Sequence, residues 1–379
     1  MKSRICLMMI ALALLSTACW DTKDISDRLF ISAIGIDEAA GVTPAQGKKP
    51  LKYKVTAEII HPFLLKEAPS RISDGQTGSI ILTAEGETLQ NALDLIQANV
   101  ARRLTLSDLQ VIIVSDEMGD NFKDISSYFE KHPEVARRIR LAFIKNGTAQ
   151  DALKIKPKTE RYIAEELIGM IEISKELTLG LFKPFTKLLS ELRINNGHSL
   201  GASFFISDNN LVRYGSVVFE DWKLVGWLDK EETVNANILF PDIEKFTFIG
   251  SLDGGVFTYK VDNKKVKIRP IISNNQVNFT ISLKVDGIIL QEENGGIDLS
   301  QPGNIKILEG LFKDIITKTI EAALNTSQNV YGVDYFMFGM ELMNRYPDFY
   351  NSLNWKEVYP TVKIKPEVQV KISRFGIAK

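Results

Sequence analysis

Both cysteines of this chain, Cys6 and Cys19, fall within its first nineteen residues, and the following 360 contain none. Whatever folds beyond Cys19 therefore does so without a disulfide, a thiol nucleophile or a thiolate metal site. Its stability has to come from packing, and the chain has the material for it. Hydrophobic residues make up 45 % and charged residues 25 %, ordinary for a globular protein and inconsistent with a largely disordered one. The length suggests two or three domains, each able to bury a core. Basic and acidic residues balance at 46 against 47. With no basic domain, no aromatic–basic repeat and no zinc-ligand spacing, nucleic-acid binding is excluded.

The first nineteen residues have the layout of an export signal. Lys2 and Arg4 precede an apolar stretch from Ile5 to Leu15, and Ser16-Thr17-Ala18 leads into Cys19. As a helix, Ile5 to Ala18 would be roughly 21 Å long, short of a ~30 Å hydrocarbon core. A cysteine after small residues resembles a bacterial lipoprotein signal, in which that thiol is lipidated and becomes the new N-terminus. The pattern usually has Leu three residues before the Cys, where this chain has Ser16. The alternative is a plain secreted protein, or a short uncleaved anchor, with an incidental Cys19. On the lipoprotein reading, residues 1–18 are the signal peptide and Cys19 is the lipidation site. The remainder carries 44 basic and 47 acidic residues, a formal charge of −3.

Residues 19–196 read as an N-terminal α/β domain with a mixed sheet. Leu29–Asp37 is a strand ending in a turn. Tyr53, Val55, Ala57 and Ile59 alternate with polar neighbours, which is a half-buried strand expected to pair antiparallel with the first. Ser79–Ala84 follows, then a helix over about 87–102 with Leu89, Ala92, Leu93, Ile96 and Val100 on one stripe. The unbroken run Gln110–Val114 suggests a strand covered on both faces. Further helices are expected over about 121–131, 159–174 and 184–193, a strand over 139–144, and Thr148 as an N-cap. Asn195-Asn196-Gly197 marks a boundary. Residues 197–245 read as a small middle domain: a meander of Gly201–Ile206, Leu211–Phe219 and Lys223–Leu228, closed by a short helix.

Residues 246–379 read as a C-terminal α/β domain. Val256–Val261 is expected to turn at Asp262-Asn263-Lys264 into Lys265–Pro270, and Gln276–Leu290 is a long strand. The longest helix, about 305–327, is expected to show Ile307, Leu311, Ile315, Thr319 and Ala322 on one face. A second covers about 334–345. The closing strand alternates from Val362 to Ile372, and Pro366, lacking an N–H, suggests a sheet edge or a bulge.

No catalytic, cofactor or metal site emerges from these residues. His61, His132 and His198 are scattered and none has zinc spacing. There is no phosphate loop, dinucleotide fingerprint or Gly-x-Ser-x-Gly turn. Gly254-Gly255 and Gly295-Gly296 read as turns or bulges. Arg102-Arg103 and Arg137-Arg138-Ile139-Arg140 read as solvated clusters, with contact to anionic headgroups or an acidic partner as the alternative. Asp37-Glu38 and Glu292-Glu293 are sequence neighbours on strands and so point to opposite faces, poor geometry for an acid/base pair. Tyr335, Phe336 and Phe338 read as core, or as a partner surface.

Cys19-Trp20-Asp21 with Asp24-Ile25 and Ile31–Asp37 resembles the mature start of the Ger(x)C family, the C-subunit lipoproteins of spore germination receptors. The likeness continues at Val217-Val218-Phe219, Leu224–Leu228 and Gly254-Gly255. It returns at Asp334–Gly339, Pro347, Trp355, Pro360 and Val368–Gly376, in order along nearly the whole chain. The resemblance implies a three-domain α/β (α+β) lipoprotein without enzymatic activity or cofactor. It further implies a position on the outer face of the spore inner membrane, beside two integral membrane subunits of A and B type, and a requirement in the germinant response. Of the motif residues only Cys19 carries a defined chemical role. Two other classes stay open on the residues. A substrate-binding lipoprotein of a transport system would have two similar lobes, and a cell-wall hydrolase would need a buried carboxylate pair or a zinc set.

Overall fold

Successive residues of a strand point to opposite faces, and in the central strands of the first half both faces are apolar. Such strands must be covered on both sides, and the structure does this with two helical layers. In a computed structural model, residues 28–40, 52–60, 79–178, 180–181, 183–294, 297–299 and 301–375 are described. The first half contains β1 (Arg28–Glu38), β2 (Tyr53–Ile60), β3 (Ser79–Gly86), α1 (Leu89–Ala98), β4 (Arg103–Thr105), β5 (Val111–Ser115), α2 (Phe122–Lys131) and β6 (Arg140–Ile144). It continues through α3 (Ala149–Lys154), α4 (Ile163–Leu177) and α5 (Phe185–Ile194), then β7 (Ser199–Ser207), β8 (Asn210–Glu220), β9 (Lys223–Leu228) and α6 (Lys230–Asn237).

The sheet runs β3-β2-β1-β5-β6-β7-β8-β9, with β4 also pairing with β1. Its centre, β1-β5-β6-β7, is parallel, and both flanks are antiparallel. Ile34, Ile36, Ile112, Val114 and Phe143 pack on one side with Leu93 of α1, Phe122 of α2 and Leu188 of α5. Their neighbours Ala33, Val111, Ile113, Ala142 and Ile144 pack on the other side with Leu153 of α3 and Leu167 of α4. β1 and β2 pair antiparallel as the alternation suggests, and Thr148 caps α3 by accepting from the Asp151 N–H at 2.9 Å. The three-residue β4 has too little sequence for a periodic signal and was not expected.

The β7–β9 meander forms with its turns within the expected joints Ser207–Asn210 and Glu220–Trp222, where Asp208-Asn209 and Asp221-Trp222 take positive φ as type I′ hairpins require. It has no sheet of its own. β7 pairs parallel with β6 at Phe143↔Ser203 and Ile144↔Phe204, so hydrogen bonds cross the expected 196/197 boundary and the meander widens the first sheet. Its far edge is covered from the second half. The Tyr331 hydroxyl donates to the Trp227 carbonyl at 2.9 Å and accepts from the Trp227 N–H at 3.2 Å. The ring lies where a side chain at position 226 would be, since a Cβ on Gly226 would sit 2.1 Å from Tyr331 Cε1.

The second half has a four-stranded sheet, β10 (Phe246–Leu252), β11 (Gly255–Ser273), β12 (Gln276–Glu293) and β13 (Lys363–Phe375), in chain order. β13 is an edge strand, in keeping with Pro366. α7 (Pro302–Asn325), followed by a π-turn (Thr326–Tyr331), and α8 (Phe338–Arg345) cover one face. The expected stripe of α7 is one residue out of phase. Leu308, Phe312, Ile316 and Ile320 are the buried set, while Ile307 is 52 % exposed and Leu311 and Ile315 sit at its margin. Two adjacent apolar rows run along this helix, and only the position of the sheet decides between them. The core of this half continues into the first, where Leu200, Val218 and Leu228 of the meander join it.

The expected turn at Asp262–Lys264 does not form. β11 runs unbroken from Gly255 to Ser273, with a bulge at Val261/Asn263, and the hairpin turns at Asn274-Asn275 instead. The bulge lets Lys264 point inward beside Lys265, which stays outside. Lys264 is 6 % exposed, and its ammonium donates to the carbonyls of Asn237 (3.3 Å), Ile238 and Phe240 (both 2.8 Å), over the Phe246 ring at 4.8 Å. It thereby closes the C-terminal end of α6, the end that favours a cation. Burial pushes its pKa down to about 7, with Glu244 opposing the shift.

Two tests follow from these contacts. Gly226→Ala should cost about 1–3 kcal/mol by overpacking against Tyr331, measured by urea denaturation, and the cost should shrink in a Tyr331→Ala background. For Lys264 the depressed pKa makes the unfolded chain the stronger proton binder between pH ~7 and ~10.5. The melting temperature of the wild type relative to Lys264→Met should therefore rise from pH ~7 to pH ~9 and stay level below pH ~7. A flat difference across that range would show that Lys264 keeps its ordinary pKa.

Candidate functional site

Of the four buried carboxylates among the described residues, Asp37, Glu58 and Asp334 each lie at the N-terminus of a helix, and Glu191 lies late in α5, paired with Lys183. Asp37 accepts from the N–H groups of Ala149 (2.6 Å) and Gln150 (2.9 Å) at the start of α3. Glu58 accepts from Ile163 (2.8 Å) and Ala164 (3.1 Å) at the start of α4, and from the hydroxyls of Ser32 (2.8 Å) and Ser79 (3.2 Å). Asp334 accepts from Phe338 (3.0 Å) and Gly339 (2.7 Å) at the start of α8, and from Trp355 Nε1 at 2.9 Å. Burial raises the pKa of all three, opposed by these donors. A raised carboxyl pKa often marks catalysis. Here the oxygens are turned onto backbone donors that a helix leaves unsatisfied, which is a structural use. Glu38, beside Asp37, is exposed on the other face.

A well-formed concavity lies where the two halves meet. It is a cleft of about 600 Å³ between α5, the Leu239–Ile243 loop, β11 and the start of α8. Its apolar lining includes Leu181, Leu239, Phe240, Ile268 and Phe336. Lys183 and Glu191 form a buried pair at 2.5 Å, 7 % and 11 % exposed, and Ser199 donates to the same Glu191 oxygen at 2.7 Å. Lys187 pairs with Asp242 across the rim, and Arg345 with Glu341 at 4.0 Å. Four consecutive residues of β11, Val266–Arg269, line the cleft. A strand can show four in a row only along its edge, and β11 has lost β10 as a neighbour beyond Val261. Lys264, just before, holds the carbonyls of the opposing loop. Met337, at the α8 N-cap, has φ +65, a strained value for a non-glycine residue. Among the described residues no histidine, cysteine or hydroxyl residue lines this cleft. Its chemistry is that of binding: an apolar body against the floor, with the paired charges of Lys187–Asp242 and Arg345–Glu341 at the rim.

Cys19 and His61 lie outside the described residues, as do Gly295 and Gly296. His132 ends α2, and His198 is buried 7 % exposed before β7, where burial holds its imidazole below the ordinary range. The segment Tyr335–Phe338 is interior: Tyr335, Phe336 and Phe338 are at most 6 % exposed, and Phe338 packs edge-on against Phe279 at 5.1 Å. These rings are core and offer no partner surface. Lys264, Glu58 and Asp334 escaped the sequence reading. The one available signal was the broken alternation at Asp262–Lys265. Among the described residues no group of three His, Cys, Asp or Glu side chains is placed to hold a metal ion. No helix there is long and apolar enough to cross a membrane.

Comparison with known proteins covers both halves. Residues 21–199 match the family model "Spore germination protein N-terminal domain", and residues 214–376 match "Spore germination B3/ GerAC like, C-terminal". Spore germination protein B3 of Bacillus subtilis is 22 % identical over 377 residues, covering 97 % of each chain. Spore germination protein YndF of the same organism is 24 % identical over 410 aligned residues, covering 99 % of this chain and 96 % of that one. The crystal structure of the GerBC protein superposes with a TM-score of 0.55 at 18 % identity, covering 93 % of this chain and all of that one. This likeness extends to the mixed α+β fold with two mixed sheets. On the two family matches, which between them span most of the chain, the protein belongs to the Ger(x)C family of spore germination proteins.

Proposed function

We propose that the protein is a non-enzymatic, lipid-anchored subunit of a nutrient germinant receptor, acting by docking on integral membrane subunits at the outer face of the spore inner membrane. The observation that carries this reading is the pair of matches to spore germination family models over residues 21–199 and 214–376. The use of Asp37, Glu58 and Asp334 as helix caps supports it, because it turns the buried acids to architecture. The leader ending at Cys19 supports the anchor. Two acyl chains, at about 0.8 kcal/mol per buried methylene, hold a protein on a bilayer where one chain is marginal.

The docking side proposed is the outer face of α7, where Lys313 and Lys318 are exposed. The aromatic segment beside it is buried and plays no direct part. A second reading, a substrate-binding lipoprotein of a transport system, is favoured by one observation, the ~600 Å³ cleft with an apolar floor, a size suited to a small molecule.

Cys19→Ala should shift the protein from the spore membrane to the soluble fraction and impair germination. Retention after salt washing with the lipid label intact would remove Cys19 as the anchor. Lys313→Glu with Lys318→Glu should reduce co-purification with the membrane subunits and leave the melting temperature nearly unchanged, since surface changes usually stay within about 0.5 kcal/mol. Calorimetry separates the two readings, because micromolar binding of an amino acid or sugar to the purified protein would favour the transport reading.

A further inference from the structure

The second sheet is covered on one face only. α7 and α8 bury the side carrying Phe279, Ile281, Leu283 and Val285, and the residues between them face solvent. From Lys265 onward that outer face presents Lys265, Lys267 and Arg269 on β11, Lys284 on β12, and Lys363, Lys365 and Lys371 on β13, all exposed. Against these seven basic groups stand two acids. Asp286 pairs with Lys371 at 3.7 Å and Glu367 with Lys365 at 3.8 Å. No carboxylate of the described residues pairs with Lys265, Lys267, Arg269 or Lys284. The whole chain has a formal charge of −1, so this positive field is a local concentration.

Two details point to a ligand for the field. Lys265 and Lys284 are directly opposite in the β11–β12 register, and like charges so placed destabilise a sheet. An anion between them would reverse that cost. They also line a hollow of about 360 Å³ together with Asn263, Gln369 and the Lys371–Asp286 pair, so three ammonium groups face one carboxylate there. Exposed apolar side chains flank the field at both ends: Ile271 (49 %) near the hairpin, and Leu290 (55 %) and Ile249 (67 %) at the far end. Lysine ammoniums beside isolated large aliphatics suit a membrane surface, where the charges meet phosphates and the aliphatics enter the headgroup boundary. A partner protein reading these amines would be expected to offer ordered carboxylates. A bilayer supplies phosphates and an apolar layer together.

We infer that the outer face of the β10–β13 sheet lies on an anionic phospholipid surface, with a phosphate headgroup in the Lys265–Lys284–Lys371 hollow. This goes beyond the receptor reading and does not depend on Cys19 being acylated.

The test is co-flotation of the full chain carrying Cys19→Ser, which no acyl chain can anchor. It uses vesicles of phosphatidylcholine alone or with one-third phosphatidylglycerol. Any insertion of the leader is common to both and drops out of the comparison. The anionic vesicles should be preferred at least about tenfold, and the preference should fade with added salt as screening shortens to ~10 Å at 0.1 M. A juxtamembrane lysine contributes about fivefold, so Lys265→Glu, Lys267→Glu and Lys284→Glu together should weaken binding about 100-fold. Lys313→Glu with Lys318→Glu, across the domain on α7, should leave it unchanged. Melting curves check that each variant folds, and Lys→Gln versions replace any charge reversal that does not. Equal binding to both vesicle types, or undiminished binding by folded sheet-face variants, overturns the inference. So does tighter binding to soluble polyglutamate than to vesicles, which would identify an acidic protein partner. Binding of inorganic phosphate without any vesicle binding overturns it as well.

Discussion

The join between the two halves depends on Asp334. Its carboxylate, buried to 1 % exposure, holds the first turn of α8 and the Trp355 indole, while its own backbone carbonyl accepts from Asn195 Nδ2 at 2.6 Å. One residue thus fixes a helix start, a core aromatic and the turn that leads into β7 of the other half. Gly339, whose N–H it receives, stands so close to Trp355 that a Cβ would approach Nε1 to 2.5 Å. A buried carboxylate is costly unless every oxygen is satisfied, and here the residue is held by donors from three separate places in the chain: Asn195, the Phe338–Gly339 turn and Trp355. The segment Asp334–Gly339 therefore has little freedom to vary for reasons of packing alone.

Around that point the contacts between halves are of the same kind. Lys264 closes α6 and Tyr331 seals the edge of β9, while within the first half Asn237 ties α6 back to the carbonyls of Thr178 (3.0 Å) and Gly180 (3.2 Å). Lys356 pairs with Glu220 at 2.7 Å and Asp221 at 3.2 Å on the β8–β9 turn, but that pair is exposed and contributes little. The buried polar bonds give the junction its specificity, and the shared apolar core gives it its strength. The cleft is what remains where β11 outruns β10 and the loop after α6 is held away from it.

The two sheets pose different problems to their surroundings. The first is covered on both faces, which suits parallel central strands. The second leaves one face to water and fills it with lysines. A lysine face keeps an open sheet soluble and discourages edge association, which accounts for some of the charge. It does not account for like charges placed directly opposite each other.

Strand and helix existence was legible from residue order, because period two and period 3.6 are local properties of apolar spacing. The Asp-Asn and Asp-Trp turns, the Thr148 cap and the edge character of β13 were legible for the same reason, each depending on neighbours within a few residues. The parts that failed to read were those decided at a distance. The α7 stripe slipped by one row because two rows were apolar enough and only the sheet selects between them. The Asp262–Lys264 turn vanished because Lys264 finds three carbonyls some twenty-five residues earlier, which no local pattern contains. The meander looked like a separate unit because β6–β7 pairing is a long-range hydrogen bond. The sequence by itself determined the elements, the absence of disulfides beyond Cys19 and the family. Only the tertiary structure decided which acids became helix caps, which lysine went inside and which sheet face stayed open, since burial and hydrogen bonding depend on what the fold brings near.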